Sequence, residues 1–240
     1  LGLRQDVLPQ HVTGRIEPPD EFLPSTSFVL ETNMRHELRA GIAIYNAGEY
    51  LAAHDAWEER WLELTDGPDR RFLQGLIQLT AAVYHARNRN WLGARKLADS
   101  AGEYLADLPG NYRGVNVDEV RAFLATLAAD PDVIDRQRPL RLRHEGRAVL
   151  PEDLDFESTA VAAHALADAM DEYEESVVER AAGYARETVE ADGSDRFVGL
   201  VFDFVREPDD RPIVYRRLAD HVDRRRRRET DVDGLFESSE

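Results

Sequence analysis

From Asn33 onward the apolar residues return with the 3.6-residue period of amphipathic helices. Leu38, Ile42 and Tyr45 fall at i, i+4 and i+7, and Gly48 stands where a left-handed residue would end that helix. A second helix carries Tyr50, His54, Trp57, Trp61 and Leu64 on one stripe until "TDGP", residues 65–68, stops it. The third segment, "FLQGLIQLTAAVYHA" at residues 72–86, contains no charged residue, so it should be covered over most of its circumference and act as the central helix. A fourth follows Asn90 as its cap through Trp91, Ala94, Leu97, Ala101 and Leu105. A fifth opens with Asn116 and Glu119 at capping-box spacing and carries Val120, Phe123, Leu124 and Leu127. Residues 1–32, in contrast, are rich in proline and polar side chains without either period, which predicts a loosely ordered arm.

After Pro139 the pattern changes. "LRLRHEGRAVL", residues 140–150, alternates and pivots on Gly146, as a short β-hairpin would. Residues 157–190 read as helix again, with Leu166, Met170, Tyr173, Val177 and Tyr184 on a seam. "DRFVGLVFDFV" and a segment opened by Pro212, with Val214, Leu218 and Val222, supply two more helices. The chain then runs through five arginines, Arg224 to Arg228, into an acidic tail at 229–240. The predicted architecture is all-α: an N-terminal helical bundle over residues 33–135, a helical C-terminal region over 136–228, and one short hairpin near 140–150.

The third helix holds the candidate chemistry. At about 100° per residue, Gln74, Gln78, Ala81 and His85 lie within about 60° of one another, between two apolar stripes. Amides and imidazoles placed there need partners, because burying one unsatisfied costs about 1–3 kcal/mol. The turn back to the second helix is short, so the two helices pack antiparallel, and His54 and Glu58, one turn apart, come within reach. Three arrangements fit the cluster of His54, Trp57, Glu58, Trp61, Gln74, Gln78 and His85. It is a closed polar network with the tryptophans as packing, a pocket for a small polar ligand, or a metal site using His54, Glu58 and His85 with one position open. His-x-x-x-Glu places both side chains on one face, yet it is neither the Glu-x-x-His of di-iron bundles nor the His-Glu-x-x-His of zinc proteases. Arg70 and Arg71 offer an anion site or, beside Asp66, Asp69, Glu58 and Glu59, ordinary ion pairs.

The stretch "YNAGEYLAAHDAWEERWLELTDGPDRRFLQGLIQLTAAVYHARNRNWLGA", residues 45–94, resembles the family known as domain of unknown function 309. The resemblance rests on Asn46, Gly48, His54, Trp57, Glu58 and Trp61, on "RFLQG" at 71–75, and on Gln78, His85, Gly93 and Ala94. Asp55 stands where many members have glutamate, and Thr80 where alanine is usual. The resemblance implies an all-helical bundle over residues 36 to about 107; the family is uncharacterised, so it implies no activity.

Composition narrows the habitat. Thirty basic residues against 47 acidic ones give a formal net charge of -17, and every basic residue but Lys96 is arginine. An acidic, lysine-poor surface suits a cytoplasm of molar salt, where screening to about 3 Å removes self-repulsion. A soluble, cytoplasmic protein of a halophilic archaeon is therefore expected. The absence of cysteine excludes disulfides, thiolate zinc sites and cysteine nucleophiles. No run of about 18 apolar residues offers a membrane span, and the net charge disfavours duplex nucleic acid as a partner. The arginine run is read as neutralised by Glu229, Asp231 and Asp233. No cofactor is expected, the partner is unknown, and a homo-oligomer stays open. The leading function is a non-enzymatic binding or interaction module; the alternative is a metal-dependent or small-molecule-processing enzyme using His54, Glu58 and His85. The charge reading has a direct consequence: the melting temperature should rise steeply between about 0.1 M and 3 M KCl, and a flat response in a thermal scan would remove its basis.

Overall fold

The computed structural model describes residues 26–191, 193 and 195–237. The first 25 residues of the expected arm and the last three of the tail lie outside them. Ten α-helices and one two-stranded hairpin are found among the described residues. In order these are α1 Thr26–Ala47, α2 Tyr50–Glu63, α3 Pro68–Arg87, α4 Trp91–Leu105, α5 Val117–Ala129, α6 Val133–Arg136, β1 Arg143–His144, β2 Arg147–Ala148, α7 Phe156–Asp168, α8 Glu175–Glu190, α9 Arg196–Arg206 and α10 Arg211–Glu237. The all-α expectation holds, and the short hairpin falls within the 140–150 stretch expected for it.

Local chemistry sets most of the boundaries. Gly48 adopts φ 97°, its N–H donates to the Tyr45 carbonyl, and the Glu49 N–H reaches back to Ile44. This is the Schellman pattern, in which a left-handed glycine satisfies the last carbonyls of α1. The Asn90 side chain accepts from the Gly93 N–H and so caps α4. In the hairpin, Glu145 and Gly146 both take positive φ, as a two-residue type I′ turn demands, and Arg143 pairs with Ala148.

Four expectations are corrected. Helix α1 begins at Thr26 rather than Asn33; Leu30 stands four residues before Met34 and eight before Leu38, so the apolar stripe already runs that far back. The helix expected over 157–190 is two, broken at residues 169–174. There Tyr173 turns in to meet the rings of Phe204 and Tyr215, and the Glu174 N–H donates to the Tyr215 hydroxyl. Asn116 does not cap α5 through its side chain: its amide oxygen accepts the Arg143 N–H instead, which ties the hairpin to α5. Finally, α10 continues to Glu237, so the arginine run lies inside a helix and the "tail" is largely helical. Arg225 stacks 3.9 Å above the Tyr184 ring and pairs with Glu187 and Glu229, while the other four arginines are exposed.

One continuous apolar core joins the two halves. Helix α3 sits between α2 and α4, while α7 packs on α1 and α2 as well as on α8 and α9. Polar contacts fasten the same seam. His36 Nδ1 lies 3.1 Å from the Ser158 hydroxyl, Arg39 donates to the Asp153 carbonyl, and the buried Arg211 pairs with Glu49 at 3.3 Å while donating to the Phe204 carbonyl. Asn46 locks the hairpin on α1, because its amide donates to the carbonyls of Leu142 and Val149 and accepts the Leu142 N–H.

Helices α1 and α2 approach closely at Gly41. Trp57 is fully buried, and a Cβ on Gly41 would fall 2.2 Å from its indole nitrogen. Gly41→Ala should therefore cost about 1–3 kcal/mol through overpacking, a fall of about 2–4 °C in melting temperature per kcal/mol for a chain of this size. Adding Trp57→Phe should recover part of that loss; strictly additive effects in the double variant would show that the two residues do not meet in solution.

Candidate functional site

Which arc of α2 faces inward decides the site. The buried residues of α2 are Tyr50, Ala52, Ala53, Ala56, Trp57 and Arg60, so the buried arc centres near Ala53 and Arg60 and faces α1 and α7. His54, Trp61 and Glu58 therefore stand at its edge, turned toward α3. There they meet Gln74, Ile77, Gln78 and Ala81 of α3 and Leu97 of α4 around a cavity of about 260 Å3. Arg70 packs on Trp61. The guanidinium lies 3.9 Å over the Trp61 ring and donates to the carbonyls of Trp61 and Leu64, which closes the C-terminus of α2. That is the role of Arg70 here, while Arg71 pairs loosely with Asp107 at 3.7 Å.

Two atoms on residues that line the cavity stand out. The indole N–H of Trp61 and the side-chain carbonyl of Gln78 are both buried, and neither has a hydrogen-bond partner among the described residues. One is a donor and the other an acceptor, and each carries a desolvation cost of about 1–3 kcal/mol that no protein contact offsets.

His54, Asp55 and Glu58 form a second feature on the lip of the cavity. His54 Nδ1 donates to Asp55 Oδ1 at 3.1 Å and lies 3.7 Å from Glu58 Oε2. The Asp55 hydrogen bond raises the imidazole pKa above its ordinary value, partial burial opposes this, and the two carboxylate charges add to the rise. Asp55 and Glu58 also border a larger groove of about 650 Å3 between α2, α7 and α8, whose walls carry Glu37, Glu59, Glu157, Glu175 and Glu179.

Of the seven residues expected to gather, His54, Glu58, Trp61, Gln74 and Gln78 do, and two do not. Trp57 points into the core against Gly41, because the α2 alanines draw α1 and α7 onto that side. His85 lies beyond the cavity at the α3–α4 turn. The Asn90 amide oxygen is taken by the Gly93 N–H, so its NH2 donates to His85 Nδ1 at 2.8 Å, which leaves the imidazole proton on Nε2. The metal set His54, Glu58 and His85 consequently does not assemble.

The cavity lies wholly on α2, α3 and α4, inside the part of the chain that can be related to other proteins. Residues 38–97 match the family model described as domain of unknown function (DUF309). An uncharacterized protein of Aquifex aeolicus is 26% identical over 89 residues, covering 37% of this chain and 27% of its own length. The uncharacterized protein YpuF of Bacillus subtilis is 39% identical over 49 residues, covering 20% of this chain and 28% of its own. This chain thus spans little more than a quarter of either relative. The DUF309 match runs from within α1 to within α4, so α5 to α10 and the acidic groove's far wall lie outside it. Within it, Asn46 and Gly48 serve the hairpin clamp and the α1 terminus, whereas His54, Glu58, Trp61, Gln74 and Gln78 line the cavity.

Sequence reading passed over Asp55, Glu37 and Arg60. Arg60 had a signal: it stands seven residues after Ala53 and four after Ala56, in line with the alanine stripe that α1 and α7 cover. It is 3% exposed, pairs with Glu63 at 2.7 Å and lies 3.6 Å from Glu37. Burial pushes the Glu37 carboxyl up to about 7; Arg60 pulls it down, and Glu63 and Glu59 push it up again. In the unfolded chain the same carboxyl ionises at its usual 4.5. Ionised Glu37 is thus favoured by unfolding, so its contribution to stability is whole below that value and is lost as pH climbs through about 7. Glu37→Gln should match the wild type near pH 4 and gain melting temperature over it by about pH 8. A difference that does not change across that range would mean Glu37 is solvated.

Proposed function

We propose that the chain is a binding module whose recognition site is the cavity between α2, α3 and α4, and that it takes a small polar group offering both an acceptor and a donor. The observation that carries this reading is a pair of buried, unpartnered atoms, Trp61 Nε1 and Gln78 Oε1, on two residues that line the same cavity. A carbonyl would accept from the first, and an amide or hydroxyl hydrogen would serve the second. The cavity is smaller than the about 300–1,000 Å3 usual for drug-sized molecules. Its occupant is therefore a small molecule or a single side chain of a partner. Glu58 at the mouth favours a neutral or cationic group over an anion.

A closed structural network is less consistent with two atoms that make no bond. An enzyme remains the second reading, supported by His54 between two carboxylates, a setting that tunes proton affinity. The acidic surface, with Lys96 as its single lysine, supports a working environment of molar salt, as in the cytoplasm of a halophilic archaeon. No helix among the described residues is long and apolar enough to cross a membrane.

Isosteric apolar replacement separates the readings. Gln78→Leu should leave the ligand-free protein as stable as the wild type or more so, because it removes an unsatisfied buried carbonyl. Thermal-shift hits from a screen of small amides, amines and polyols should vanish in this variant. A loss of more than about 1 kcal/mol in the ligand-free protein would mean that Gln78 has a structural partner, and the network would then replace the pocket.

A further inference from the structure

We infer that His54, Asp55 and Glu58 form a site for a divalent first-row transition-metal ion, bound through His54 Nδ1 and one oxygen from each carboxylate. This goes beyond the cavity reading and does not rest on it, since Asp55 borders the acidic groove and not the cavity.

The distances fit. Metal–nitrogen and metal–oxygen bonds of about 2.0–2.2 Å at tetrahedral angles put neighbouring ligand atoms about 3.3–3.6 Å apart. Nδ1 lies 3.1 Å from the Asp55 oxygen and 3.7 Å from the Glu58 oxygen, and all three ligand atoms lie within 4.8 Å of one another. Among the described residues, no other group of three His, Asp or Glu side chains converges this closely. The backbone supports the set: positions 54, 55 and 58 of a single helix need no rearrangement of a loop to come together.

The setting fits as well. The same nitrogen of the imidazole, Nδ1, faces both carboxylates, so one ion between them would meet all three groups. The side chains of the three residues are 30%, 27% and 46% exposed, so an ion can enter without opening the fold. Around the groove, Glu59 and Glu179 add negative charge, while Glu157 is paired with Arg186 and Glu175 lies against His164. The donor set names the class of ion. Two carboxylates with one imidazole suit Zn2+, Co2+ or Mn2+, whereas Ca2+ and Mg2+ prefer oxygen alone. Three protein ligands leave at least one position for water or for a molecule to be bound. Glu58 borders both the cavity and the groove, so that position opens beside one of them.

The test uses the whole chain, stripped with chelator and titrated with Zn2+ and Co2+ in about 2 M KCl, where screening weakens attraction to scattered surface carboxylates. One equivalent should bind, Co2+ should develop visible ligand-field bands, and Mg2+ at equal concentration should not compete. His54→Ala and Asp55→Asn, checked for native circular dichroism, should each weaken binding about tenfold or more. Absence of stoichiometric binding in the wild type, equal binding by a folded His54→Ala or Asp55→Asn protein, or displacement by Mg2+ would each overturn the site. None of these outcomes would touch the cavity reading, whose own failure shows only in the Gln78→Leu stability and ligand screen.

Discussion

The rotation of α2 about its own axis is set by a steric contact. Trp57 lies fully buried against Gly41, where no side chain larger than hydrogen fits, and Ala52, Ala53 and Ala56 give α1 and α7 a smooth surface to close on. Packing density in a core leaves no freedom to turn such a helix by a fraction of a turn without opening voids on one side and clashes on the other. Once that arc is committed, His54, Glu58 and Trp61 must stand at its margin toward α3, and Asp55 and Glu59 must face the groove under α7 and α8. The α1–α2 contact thus positions both concave features without touching either.

The two margins of α2 differ in how they treat charge. On the deep side, Arg60 and Glu37 are drawn into the interface with little solvent, and burial dominates: the Glu37 carboxyl is pushed toward neutrality although a guanidinium lies 3.6 Å away. On the outer side, His54 keeps enough solvent for its carboxylate neighbours to dominate, and the imidazole is driven toward its charged form. A carboxylate of α1 and an imidazole of α2 respond in opposite senses, one toward neutrality and one toward charge, because desolvation wins at one place and hydrogen bonding at the other.

The segments outside the DUF309 match act as walls and fasteners. The hairpin is too short to be stable alone, and Asn46 and Asn116 hold it by its backbone from α1 and α5. Helix α7 covers the alanine face of α2, and α8 completes the groove with Glu175 and Glu179. The Arg225 stack on Tyr184 binds α10 to α8 at the far end. None of these contacts reaches the cavity, which is built from α2, α3 and α4 alone.

Helical period, caps and breakers were legible residue by residue: Gly48, "TDGP", Asn90 and Gly146 mark the ends and turns at which the structure places them, because these depend on chain neighbours. The charge-free stretch 72–86 of the third helix was legible as the bundle's centre for the same reason, and the polar stripe of Gln74 and Gln78 as the edge that lines the cavity. What pattern alone left open was the phase of α2, since alanine is compatible with a buried or an exposed arc. Tertiary packing resolved it, as α7, about a hundred residues further along the chain, closed over Ala52 and Ala56 and took Trp57 away from the cavity. It also separated His85 from His54 by giving it to Asn90, and placed Asp55 with Glu58 instead. Sequence determined which residues share a helix and roughly which face they occupy; only the docking of distant helices, governed by shape rather than by local preference, decided which of those faces meet.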